Sequence, residues 1–247
     1  MNVVGVIPAR WASSRLPGKS LIFLRGKSLV QRVWERASQS KRLTSLVVAT
    51  DDERIYSAVQ AFGGRPVMTR TDHPSGTDRV AEAVQGTDAD IVINIQGDEP
   101  LIDPMLIDRL AGCFEEPGWD MATAACPISN AHDEAATSVV KVVCDHKGGA
   151  LYFSRLPIPF VRDAGDTFIR WRHIGLYAYR VEFLRRLLAT PPCALEQAEK
   201  LEQLRALYMG GRIKVVEASE AGVGVDTPDD VRVVEEIIRV TESRGGG

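Results

Sequence analysis

Three cations, Arg10, Arg15 and Lys19, follow directly on the apolar run Val3–Ile7. They sit in Ile7-Pro8-Ala9-Arg10 and in Ser13-Ser14-Arg15-Leu16-Pro17-Gly18-Lys19, a loop that also offers hydroxyls, a glycine and backbone amides. Arginine clamps phosphate oxygens through two N–H groups and lysine adds a point charge, so this loop suits a polyphosphate. A solvated basic loop is the plain alternative. Asn94-Ile95-Gln96-Gly97-Asp98-Glu99-Pro100 brings two carboxylates to the end of another apolar run. Phosphate-bound Mg²⁺ takes one or two such ligands, although Gly and Asp also end strands in simple turns. Val225-Asp226-Thr227-Pro228 adds a third carboxylate at a helix start. Thr227 can cap that helix, which leaves Asp226 for a metal.

Further segments carry polar groups with a less decisive spacing. Ser75, Gly76 and Thr77 open a helical pattern with hydroxyls and amides, a favourable place for an anion or an ordinary cap. Arg79 in that first turn opposes the helix dipole, so an anionic ligand is its expected partner. His173 and Tyr177 lie in Arg172-His173-Ile174-Gly175-Leu176-Tyr177-Ala178-Tyr179-Arg180, where a strand-borne histidine is ordinarily a satisfied structural residue. Glu196 through Arg205 reads as one amphipathic helix with Leu201, Leu204 and Leu207 inward and Glu202 solvated. Ser13 to Ser20 also imitates a P-loop, and Ile91 to Asp98 imitates its partner strand. Ser13 replaces the first glycine, however, Pro17 removes an amide, and Arg25-Gly26-Lys27 interrupts the helix a P-loop needs.

Alternating strands and helices must position these groups. Strands are expected at Val3–Ile7, Leu46–Thr50, Arg65–Met68, Ile91–Gln96, Met121–Cys126, Val139–Cys144, Ile174–Tyr179 and Arg212–Val216. Several are apolar at successive positions, as in a parallel sheet covered on both faces. Ser28 with Gln31, and Thr50 with Glu53, read as capping boxes. Asp103-Pro104 and Thr227-Pro228 read as a cap followed by a first-turn proline. The pattern predicts an open, doubly wound α/β sheet, which binds ligands beyond the carboxyl ends of its strands.

The chain has 247 residues and a net charge of -3, which disfavours a nucleic-acid holder and allows an anionic small substrate. Neither a signal peptide nor a membrane span is expected. Cys113, Cys126, Cys144 and Cys193 are widely spaced, so buried free thiols in a reducing compartment are expected. The glycine-rich end is expected to fray.

Taken together, IPARWASSRLPGK, VVATDDERI, MTRTDHPSGTDR, NIQGDEPLI, VKVV with LYFSR, RHIGLYAYR, LEQLR and GVDTPDD closely resemble the 3-deoxy-manno-octulosonate cytidylyltransferases, also called CMP-Kdo synthetases. These blocks run from residue 7 to residue 230. RLPGK separates the chain from sialic acid cytidylyltransferases, whose loop resembles R-x-G-S-K. The resemblance implies an α/β, Rossmann-like nucleotidyltransferase with an open, mostly parallel sheet flanked by helices and a small dimerisation lobe. Its core would comprise 1–126 and 191–240, the dimerisation and sugar-binding lobe 127–190, and a disordered tail 241–247. It implies a cytoplasmic homodimer that uses CTP, Kdo and Mg²⁺ in lipopolysaccharide biosynthesis. By the same analogy Pro8, Ala9, Arg10, Arg15, Lys19, Ser75, Thr77 and Arg79 meet the nucleotide, and Asp98 and Asp226 hold metal. Gln96, Arg155, His173, Tyr177 and Glu202 match positions that meet the sugar. Lys19, Arg15 and Asp98 are the catalytic candidates, and no side chain stands out as general base. The competing readings are transfer to another acidic 2-keto sugar such as 8-amino-Kdo, a non-catalytic nucleotide sensor, and a P-loop kinase.

Overall fold

The computed structural model describes residues 1–12, 16–163 and 168–245. In chain order the elements begin with β1 (Val3–Ala9), β2 (Phe23–Leu24), β3 (Lys27–Ser28), α1 (Leu29–Ala37), β4 (Ser45–Thr50) and α2 (Glu53–Ala61). Then come β5 (Pro66–Met68), α3 (Gly76–Ala83), β6 (Ile91–Asn94), α4 (Pro104–Gly112), β7 (Met121–Pro127) and α5 (Ala131–Ala135). The chain continues with β8 (Lys141–Cys144), β9 (Ala150–Ser154), β10 (Trp171–Arg180), α6 (Val181–Ala189), α7 (Ala194–Glu199), α8 (Gln203–Tyr208), β11 (Ile213–Glu217) and α9 (Pro228–Gly245).

Two compact units result: Met1–Asp108 with Gly222–Gly247, and Arg109–Ala221. The expected lobe, 127–190, lies inside the second unit. In the first unit the strand order is β6-β1-β4-β5, all parallel. Residues Leu46 to Thr50 of β4 and all of β6 are buried at successive positions, so both faces of these strands are covered. The helices α1 and α3 pack on β1 and β4. The register pairs Ala9 with Thr50, which aligns the carboxyl ends of β1 and β4. The second unit is mixed: β11 pairs in parallel with β7, whereas β10 runs antiparallel to both β7 and β8. The hairpin β8–β9 extends that sheet; β9 was not expected from the sequence, although Gly148-Gly149 directly before it is a turn signal.

Local chemistry explains most element boundaries. Ser28 Oγ accepts from Gln31 N at 3.3 Å, while the Gln31 side chain turns to Glu35 at 3.0 Å rather than closing the box. Asp52, not Thr50, caps α2, through Arg54 N at 2.9 Å. The single helix expected over Glu196 to Arg205 is two helices, broken at Lys200, whose left-handed backbone (φ 54°) no longer helix can carry. The helix α9 continues to Gly245, through most of the segment expected to fray. Cys126 and Cys193 are buried free thiols, as expected; Cys144 is exposed and Cys113 half-buried. Among the described residues no helix is long and apolar enough to cross a membrane.

Candidate active site

A cavity of about 330 Å³ opens in the first unit at the carboxyl ends of its strands. Pro8, Ala9 and Arg10 reach it from the end of β1, and Gln96, Gly97 and Asp98 from the turn after β6. Gly97 is required there, since a Cβ would stand 2.5 Å from the Pro8 carbonyl oxygen. Lys19 enters from a turn in which Gly18 takes the left-handed conformation (φ 68°) and donates its N–H to the Trp11 carbonyl at 3.0 Å. Only the short 3₁₀ turn Lys19–Leu21 follows, not the α-helix of a P-loop, so the kinase reading loses its structural requirement.

The Lys19 ammonium donates to Asp98 Oδ2 and to Asp226 Oδ1, each at 2.9 Å. The two carboxylates come from residues 79 and 207 positions away from Lys19. Backbone geometry holds them: Val225 N donates to the Asp98 carbonyl at 2.9 Å. Asp230 accepts from the amides of Asp226 and Thr227 and donates its own amide to Thr227 Oγ1 at 3.3 Å. Thr227 therefore caps α9, as its type suggested, and the Asp226 carboxylate turns to Lys19 instead. Burial works against the Lys19 charge, but the hydrogen bonds and charges of Asp98 and Asp226 outweigh it and raise Lys19 above the ordinary lysine pKa.

Two carboxylates that converge on one ammonium can also converge on one divalent cation. Among the described residues no group of three or more acidic, histidine or cysteine side chains converges anywhere. Asp98 and Asp226 therefore supply a pair of hard oxygen donors, which fits Mg²⁺ completing its shell with water and phosphate rather than a protein-only cage.

Ser75 and Gly76 line the same cavity at the start of α3. Ser75 caps that helix, accepting from Asp78 N at 3.2 Å. Thr77 is buried beside it. Arg79 borders the cavity but is buried, and its guanidinium donates to Asp51 Oδ2 at 2.6 Å and Thr69 Oγ1 at 2.5 Å. The anion expected to explain Arg79 is thus Asp51 of this chain. His73 also lines the cavity and contacts Glu82; sequence reading passed over it although it stood inside the Thr69–Arg79 block. Arg15 lies outside the described residues.

The sugar candidates divide between the units. Gln96 lines the first cavity. His173, Tyr177 and Glu202 line a cavity of about 370 Å³ in the second unit. His173 Nε2 lies 2.9 Å from Thr123 Oγ1, and the ring packs edge-on to Phe153 with centroids 5.0 Å apart. Burial pushes the His173 pKa down to about 3, so the ring is neutral. Burial and then the charge of Glu202 raise the Tyr177 pKa and keep its phenol protonated. Arg155 ties backbone segments together: its Nε, Nη1 and Nη2 donate to the carbonyls of Glu199, Thr137 and Lys200 at 2.7, 3.0 and 3.5 Å. Lys200 and Gln203 line this second cavity and had been overlooked, because a single expected helix hid the break between them.

A family model described as Cytidylyltransferase matches residues 4–214. The 3-deoxy-manno-octulosonate cytidylyltransferase of Geobacter sulfurreducens is 48% identical over 250 residues, spanning 97% of this chain and 100% of that protein. Its counterpart in Bdellovibrio bacteriovorus is 49% identical over 243 residues, spanning 96% and 98%. The solved structure of a CMP:2-keto-3-deoxy-manno-octonic acid synthetase complexed with CTP has a TM-score of 0.94 and 45% identity to this chain, covering 98% of it and 100% of the neighbour.

Proposed function

The chain belongs to the cytidylyltransferase family, among the 3-deoxy-manno-octulosonate enzymes, and on that premise we propose that it transfers CMP from CTP to the anomeric hydroxyl of Kdo, releasing pyrophosphate. The observation that carries this reading is the Lys19 ammonium held between Asp98 and Asp226 inside the first cavity. The sugar oxygen forms a bond to the α-phosphorus of CTP, the bond to the β-phosphate oxygen breaks, and the hydroxyl proton is lost to solvent. Such a transfer depends on positioning and on charge stabilisation.

Lys19 offsets charge on the departing pyrophosphate, with Arg10 at the same cavity and Arg15 in the same sequence loop. The amides that open α3, with Pro8, Ala9, Ser75 and Thr77, hold the nucleotide. Arg79 acts here by bracing this wall through Asp51. His173, Tyr177 and Glu202 orient the sugar, with Arg155 supporting them through backbone carbonyls. Asp98 and Asp226 would hold Mg²⁺. Bound there, the ion would neutralise phosphate charge and lower the pKa of the attacking hydroxyl. The reading extends to a cytoplasmic homodimer formed through residues 127–190 and to supply of activated Kdo for lipopolysaccharide.

Pyrophosphate release from CTP and Mg²⁺ tests the reading with Kdo, 8-amino-Kdo and N-acetylneuraminate as acceptors. Release with Kdo and not with N-acetylneuraminate is expected. Release with 8-amino-Kdo alone would replace the sugar but keep the chemistry. Silence with every acceptor would leave a nucleotide sensor.

A further inference from the structure

The turn that delivers Lys19 to the two carboxylates is braced by an aromatic ring. Gly18, immediately before Lys19, sits in the left-handed region (φ 68°) and donates its N–H to the Trp11 carbonyl at 3.0 Å. The Trp11 indole lies against the same glycine: a Cβ at position 18 would stand 2.8 Å from Trp11 Cη2. Both the backbone and the ring of Trp11 therefore touch the residue that sets the direction of Lys19. The ring is covered in turn by Arg54, whose guanidinium carbon lies 3.3 Å from the indole centroid. A cation at that distance is held by the electron-rich face of the ring, and a planar guanidinium stacks on it well. Asp52 fixes the guanidinium plane, accepting from Nε at 2.9 Å and from Nη2 at 2.6 Å. The Asp52 amide donates to Thr50 Oγ1 at 3.2 Å. A line of contacts thus runs from the end of β4 through Asp52, Arg54 and Trp11 to Gly18. The helix α2, which carries Arg54, also packs on the turn Lys19–Leu21. Among the described residues neither Trp11 nor Arg54 lines the cavity. Their effect on the site passes through the lysine they aim.

We propose that Trp11 is a positioning residue for Lys19: its indole, clasped by Arg54 and Asp52 of the α2 start, holds the turn that directs the ammonium at Asp98, Asp226 and the polyphosphate. This inference rests on the reading of the chain as a CTP-using transferase in which Lys19 offsets phosphate charge.

The test is a double-mutant cycle on pyrophosphate release, with kcat, KM for Kdo and Tm measured for each protein. Trp11→Leu removes the ring, Trp11→Tyr keeps an aromatic face for Arg54, and each is made with Lys19 and with Lys19→Met. With Lys19 present, Trp11→Leu is expected to lower kcat about 10- to 100-fold, as a misplaced charge does, with KM for Kdo within about twofold. Trp11→Tyr is expected to stay within about threefold of wild type, because the stack on Arg54 survives. In the Lys19→Met background Trp11→Leu is expected to change kcat by less than about twofold, since residues that act as a unit are not additive. A kcat of Trp11→Leu within twofold of wild type would overturn the inference. An equal fall in both backgrounds would also overturn it, by making the ring a prop of the fold that acts without Lys19. If Trp11→Leu does not fold, the same cycle with Arg54→Met decides by the same criterion: a loss of kcat that appears only when Lys19 is present supports the clasp, and no loss or an equal loss refutes it. A wild type that releases no pyrophosphate would instead defeat the underlying reading, and this inference with it.

Discussion

Replacing Asp98 by Asn removes one charge from the acidic pair and almost nothing else. The side chain keeps its shape and an oxygen that can still accept from Lys19 Nζ, now 2.9 Å from Asp98 Oδ2. Asp226 remains on the same ammonium at 2.9 Å. The tie from Val225 N to the Asp98 carbonyl belongs to the backbone and survives. The Asp98 and Lys19 side chains are 29% and 16% exposed. A partly screened pair that loses half its charge should cost about 0.5–1 kcal/mol. In a chain of this length that lowers Tm by roughly 1–4 °C. Activity should respond far more. Losing one preorganised charge at developing phosphate charge costs about 10²–10³ in kcat. Pyrophosphate release at saturating CTP and Kdo, paired with a thermal melt, reads both quantities. A kcat within fivefold of wild type would refute the assignment of Asp98. A Tm fall beyond about 8 °C would show that Asp98 holds the fold rather than the chemistry.

Lys19→Met leaves Asp98 and Asp226 facing each other within about 6 Å, a repulsion of roughly 1 kcal/mol after screening by solvent. The variant should lose activity by about 10²-fold, and Mg²⁺ should raise its Tm more than that of wild type, as a Mg²⁺ titration by melt would register. Because Lys19 is held above its ordinary pKa of 10.5 in the fold, its pairs stabilise the chain below that pH and release it as pH rises through the folded value. Arg79→Met strands the Asp51 carboxylate, whose side chain is 15% exposed, and should cost about 3 kcal/mol in denaturant melts. The pair Arg79→Met with Asp51→Leu should recover at least half of that loss. For His173 the unfolded chain takes up a proton near 6.5, whereas the folded chain resists until about 3. Stability should therefore fall as pH drops from 6.5 towards 3, and His173→Gln should flatten that slope in Tm against pH.

Much of this molecule is legible along the chain because the deciding interactions are local. The runs Leu46–Thr50 and Ile91–Asn94 announce covered parallel strands by composition alone. Ser28, Ser75 and Thr227 announce helix starts because a hydroxyl meets an amide three residues on. The first loop, the Gly97-Asp98 turn and Asp226 are likewise visible as chemistry, for each follows or precedes an element that aims it.

Their meeting is not visible in that way. Lys19, Asp98 and Asp226 lie far apart in sequence, and no local preference encodes which carboxylate an ammonium will reach. Long-range packing likewise turned Arg79 to Asp51 and Arg155 to three carbonyls, although the sequence motifs had offered both arginines to ligands. A guanidinium takes the nearest acceptor that burial leaves uncompensated, and the folded backbone alone sets where that acceptor stands. The break at Lys200 follows the same logic: helix propensity ran on through the segment, and tertiary contacts overrode it to set Lys200, Glu202 and Gln203 along one cavity wall.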